Sequence, residues 1–92
     1  MTFPTAVTQL LTARRIETVP ADRPVAVTRL RRAIDKLAVA RTVVEIDVEV
    51  AYVTMYDATR IAVTAHMLAH GYRVRPIARA HEVVGDYAEA TI

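Results

Sequence analysis

Apolar residues recur along this chain mostly at three- and four-residue spacing, the pattern of helices that bury one face. Phe3, Val7, Leu10 and Leu11 fall at i, i+4, i+7 and i+8, and Pro4 is tolerated in a first turn, so a short helix is predicted over residues 4–14. Ile16 to Pro24, with two prolines, reads as an extended connector. Asp22 is placed to cap the next helix, with Pro24 in its first turn. Leu30, Ala33, Ile34, Leu37, Ala38 and, less regularly, Val44 mark its inner face over residues 23–44. Arg29, Arg32 and Lys36 form a basic outer stripe, which reads as a solvated face, and Asp35 is in reach of Arg31 and Arg32.

A third helix, the longest, is expected from a cap at Asp47 to Gly71, where glycine suits a left-handed C-terminal residue. One of its sides is a seam of small residues, Ala51, Ala58, Ile61, Ala62, Ala65, Leu68 and Ala69, which lets another helix come close. A second stripe holds Tyr52, Tyr56, Val63, Met67 and His70. A helix apolar on two sides is either central in a bundle or half-covered by a partner; bundle geometry favours the central position. Val43 to Val50 alternates like a strand, but a lone strand has nothing to pair with, so helix is preferred there. Tyr72 to Pro76 reads as a loop, and Ile77, Ala80, Val84, Tyr87 and Ala88 share one face of a last helix, weakened by Gly85. The expected fold is all-α, a small up-and-down bundle of four helices, the first one short, in a single domain spanning residues 1–92.

Composition narrows what such a bundle can do. Cysteine and serine are both missing, which removes disulfides, Cys-based zinc sites, thiol catalysis and a serine nucleophile; a glycine-rich phosphate loop is impossible with two glycines. No apolar run reaches the ~18 residues of a membrane span, and the first residues lack a signal peptide's pattern, so a cytoplasmic protein without membrane contact is expected. Eleven of the twelve basic residues are arginine, yet the net charge is only +2, too little to argue for direct nucleic-acid binding.

The residues that could carry chemistry lie in the second half. His66 and His70, four apart, point to one side of a helix as metal-binding pairs do, but a third ligand would have to come from His81, Glu82 or another chain, and no metal is assigned. Tyr52, Tyr56, Tyr72 and Tyr87 cluster in sequence with Arg60, Arg73, Arg75 and Arg79, the two residue types enriched where proteins meet. The same types also serve RNA by stacking and phosphate pairing. No catalytic constellation stands out, so no enzyme activity and no cofactor are expected; for nucleolytic chemistry only Arg75 and His81 remain.

The order R-R-I-E-T-V-P-A-D, a helix, A-Y-V-T-M-Y-D-A-T-R-I-A, H-G-Y-R-V-R and A-H-E-V-V resembles a short HEPN domain over residues 14–90. Tyr56-Asp57-Ala58-Thr59-Arg60 and Gly71-Tyr72-Arg73 are the more specific pieces. The resemblance implies a helical bundle of the kind found beside nucleotidyltransferases in toxin-antitoxin pairs. Some HEPN domains are ribonucleases with an R-x4-6-H motif, whose spacing Arg75 and His81 satisfy, although Pro76 departs from the polar residue preferred there. In those nucleases the motif sits on a further helix, before which this sequence looks truncated at its C-terminal end. The chain is also similar to the small antitoxins of the mycobacterial MenAT class, whose partners are AbiEii-type nucleotidyltransferase toxins acting on tRNA. That similarity implies an antitoxin that occludes or distorts its toxin's site. On residue type and helix stripe, Tyr52, Tyr56, His66, His70, Arg73, Arg75 and Tyr87 are the residues expected to bury against such a partner. The alternatives are a ribonuclease or RNA-binding module using Arg75 and His81, and a self-associating scaffold.

Overall fold

The computed structural model describes residues 3–91; the Phe3 side chain, expected on the inner face of the first helix, lies outside that description. Four helices dominate: α1 (Phe3–Thr12), α2 (Arg23–Val43), α3 (Val48–Ala69) and α4 (Ala80–Thr91). Two short strands, β1 (Ile16–Thr18) and β2 (Tyr72–Val74), pair antiparallel with Glu17 opposite Arg73. The helix ends follow the capping residues. The carboxylates of Asp22 and Asp47 accept from the Val25 and Val50 amides, both at 3.1 Å, satisfying amides that an α-helix leaves unpaired at its start. Gly71 takes φ +83° after α3, and an added Cβ would meet the Val19 carbonyl oxygen at 2.9 Å, so the close approach of the chain entering α2 also requires glycine. α1 ends in a Schellman turn, Arg15 N–H to the Leu10 carbonyl and Arg14 N–H to that of Leu11, with Arg14 itself at φ 58°.

α2 and α3 form an antiparallel hairpin that makes the most extensive contact in the molecule, and α1, α4 and the strands gather at its open end as a base. The radius of gyration, 14.3 Å, exceeds the roughly 12 Å of a compact chain this long, because half of the hairpin projects beyond the base. What joins the two long helices is alanine. Ala26, Ala33 and Ala40 are the buried residues of α2, and Ala51, Ala58 and Ala65 are among those of α3. Within each helix they recur every seven residues, and Ala40 with Ala51, Ala33 with Ala58 and Ala26 with Ala65 sit at equal steps either side of the turn. A seven-residue repeat on both helices keeps one narrow stripe facing its partner, and a methyl side chain at each contact lets the axes come near the lower end of the usual 8–10 Å.

This changes the expected inner face of α2. Leu30, Ile34 and Leu37 flank the alanine seam and stay about half exposed, and Ala38 is exposed. The core of larger side chains lies in the base, where Val7, Ile16, Val63, Met67, Val83 and Tyr87 pack together with Leu10, Leu11, Tyr72 and Val74 against them. α3 is therefore central along its last half only: Val63 and Met67 are covered by the base, whereas Tyr52, Val53 and Tyr56, nearer the turn, are exposed. Two expectations are corrected. The connector and the loop contain the paired strands, closed by a further bond from Arg75 N–H to the Arg15 carbonyl. α4 starts at Ala80, after Arg79 at φ 61°, so Ile77 lies outside it, and Val83 rather than Val84 is its fully buried valine. No helix of the described residues is long and apolar enough to cross a membrane.

Candidate functional site

The seven residues expected at a partner surface do not form one patch. Tyr52 and Tyr56 project from the half of α3 near the turn, while His66, His70, Arg73, Arg75 and Tyr87 belong to the base. The fourteen steps from Tyr56 to His70 alone advance the chain by about 21 Å. Tyr87, expected on the surface, is 0% exposed and belongs to the core. Burial, with the neighbouring Tyr72 adding to it, pushes its hydroxyl up to about 12, so the group stays protonated. His66 Nδ1 lies 3.0 Å from that hydroxyl, and the pair is satisfied when His66 carries its proton on Nε2 and Tyr87 donates. The His66 and His70 rings are 4.4 Å apart. Burial first, and His70 second, lower the His66 pKa below its ordinary 6.5, favouring the neutral ring that this hydrogen bond uses.

His66 is thus built into the packing of α3 on α4, and His70, exposed, lies beside it. Among the described residues no group of three or more His, Asp or Glu side chains is placed to hold a metal ion. Arg73 pairs with Glu17 across the strands, which anchors it beside the sheet while leaving it largely exposed. Arg75 is half-buried with its Nε enclosed and unpartnered; His81 is exposed in the first turn of α4, and no hydrogen bond joins the two.

The hairpin carries the features that sequence reasoning missed. On one side of the alanine seam Asp57 accepts from Lys36 and from Arg60, each at 2.7 Å, tying α2 to α3; the sequence had suggested Asp35 as the paired acid instead. The Lys36 hydrogen bond, then that of Arg60, holds the Asp57 carboxyl at about 2, below its ordinary 3.8. A lowered folded-state pKa means that this contribution to stability is complete above about pH 3.8 and is lost as the pH falls through about 2. The thermal midpoint should fall across that window, and Asp57→Asn should flatten the fall; a variant with an unchanged pH profile would show that the pair is too well solvated to count.

On the other side of the seam lies an apolar groove, two contiguous hollows of about 650 and 380 Å³ that share Leu37. Leu30 and Ile34 of α2 and Tyr52 and Met55 of α3 are among its walls, and Arg23 and Arg41 are its charged ones. A third surface is the outer face of α3 near the turn, where Val50, Val53 and Tyr56 are exposed beside Ile46, 84% exposed in the turn itself. The sequence signal for these surfaces was present in the sevenfold alanine spacing of α2, which leaves its leucines and isoleucine beside the contact rather than in it. The class that the fold and these surfaces define is a small helical hairpin on a packed base, with apolar faces left uncovered. No protein-family model, no curated protein and no solved structure matches the chain.

Proposed function

We propose that this chain is a protein-binding helical module without catalytic activity, acting as an antitoxin that neutralises a tRNA-directed nucleotidyltransferase toxin by covering or distorting its site. One observation carries the protein-binding reading. The outer face of α3 is covered by α1 and α4 over its last half, whereas the same face continues towards the turn as exposed Val50, Val53 and Tyr56. Contiguous apolar surface with a tyrosine, carried on a projecting element, fits a partner's pocket better than it fits water. The choice of a nucleotidyltransferase as partner rests on the resemblance of the Tyr56-to-Arg60 and Gly71-to-Arg73 motifs. The exposed Arg29, Arg31 and Arg32 of α2 suit the acidic, metal-binding pocket of such an enzyme, since opposite potentials steer association.

The test is co-expression with a nucleotidyltransferase toxin encoded beside this chain, read by growth and by size-exclusion chromatography. A stable complex with growth restored is expected, and Tyr56→Glu should weaken it by about 100-fold, the scale of a central interface residue. Failure to form any complex, with toxicity from this chain alone, would overturn the reading and direct attention to RNA cleavage by Arg75 and His81.

A further inference from the structure

The groove beside the alanine seam needs an occupant, and it differs from the outer face of α3 in shape and in charge. Because the alanines hold the helices close, the residues flanking them on this side cannot reach into the contact. Val27, Leu30, Ile34 and Leu37 of α2 and Val48, Tyr52 and Met55 of α3 remain 45–68% exposed along the whole hairpin. A two-helix layer with apolar flanks at heptad spacing is half of a four-helix bundle. Among the described residues none completes it, since α1 and α4 pack at the base and on each other.

We propose that this groove closes on the same groove of a second copy of the chain, producing a four-helix core shared by two hairpins. Area and charge select this occupant. If the pairing covered them fully, the seven residues would bury on the order of 700 Å², close to the ~800 Å² that each partner contributes to a standard stable interface. Only Arg23 and Arg41 bring formal charge to the walls, so the groove offers little by which to recognise a charged foreign surface, and a net charge of +2 sets up little repulsion between copies. Two-fold pairing is also the commonest way for a surface to be its own complement. The inference does not depend on the antitoxin reading, because it concerns a different face and is tested on the chain alone.

Sedimentation equilibrium of the purified full chain should give twice the 10.2 kDa chain mass at about 50 μM, and the thermal midpoint should rise with chain concentration. Ile34, 58% exposed in the single chain, can be replaced by Glu without disturbing the hairpin's own packing. Ile34→Glu and, as a second variant, Leu30→Glu should weaken self-association by at least about 100-fold with helical circular dichroism retained. Val39→Glu, at an exposed position of α2 outside the groove, should leave the dimer intact. A wild-type chain that stays monomeric with a concentration-independent midpoint overturns the proposal, as does a dimer that survives both groove substitutions. Monomeric wild type whose growth protection is lost in Ile34→Glu would assign the groove to the toxin instead.

Discussion

Tyr87→Ala should remove about 3–5 kcal/mol of stability, the range for truncating a large buried aromatic, and leave much of the chain unfolded at 37 °C. The expected size follows from where the ring sits. Tyr87 is one of the largest fully buried side chains, and Val7, Ile16, Val63, Met67 and Val83 gather with it into a single cluster that α1, β1, α3 and α4 all enter. A small chain has total stability near the low end of the usual 5–15 kcal/mol, so one such cavity consumes a large part of it. Truncation also takes away the hydroxyl that faces His66 Nδ1. Tyr87→Phe separates the two effects: it keeps the ring and should cost only about 1 kcal/mol, the net value of one hydrogen bond. Urea denaturation distinguishes these outcomes, and a loss below about 1 kcal/mol for the alanine variant would mean that the base is not the stabilising core.

Ala33→Leu should be the second most damaging single change, although it adds apolar surface at a helical position where leucine has good propensity. Ala33 is 4% exposed at the middle of the seam, level with Ala58 by its distance from the turn. Three additional carbons there force the helices apart or the new side chain off its rotamer, at about 1–3 kcal/mol. Ala38→Leu is the matched control, because Ala38 points to solvent on the same helix and should tolerate leucine with little change. Equal stability for the two variants would show that the seam does not set the helix separation.

Much of the architecture was legible because its determinants are local. Asp22, Asp47 and Gly71 mark helix ends through bonds to residues three or fewer positions away, and the lengths of α2 and α3 follow from them. The strands were not legible, since three residues are too few to establish an alternation and Glu17 meets Arg73 across 56 positions. The orientation of α2 was misread for a different reason: periodicity weighted Leu30, Ile34 and Leu37 above alanine, whereas the contact is decided by which residues permit the closest approach. At the candidate site, the exposure of Tyr52 and Tyr56 agrees with a helix half-covered along its length rather than with the central position that bundle geometry favoured. The burial of Tyr87 was not legible, because a tyrosine is read equally well as an interface residue or as a core residue whose hydroxyl has found a partner. The ion pairing of Lys36 with Asp57 was hidden because it depends on the register of the hairpin, which becomes readable only after the alanine repeat is recognised.

The miniature sheet has a consequence for how the chain surrenders its freedom. Two three-residue strands are too short to hold together alone, and joining residues 17 and 73 directly would require closing a loop of more than fifty residues. The hairpin makes that distance small. Once Ala40 meets Ala51, and then Ala33 meets Ala58 and Ala26 meets Ala65, only the few residues between β1 and α2, and between α3 and β2, remain to be closed. By the logarithmic dependence of closure entropy on loop length, this shortcut is worth on the order of 2 kcal/mol. A separation that counts as long-range along the sequence is thus short in the partly ordered chain, and the strands that bind the two ends of the molecule are a product of the alanine zipper between them.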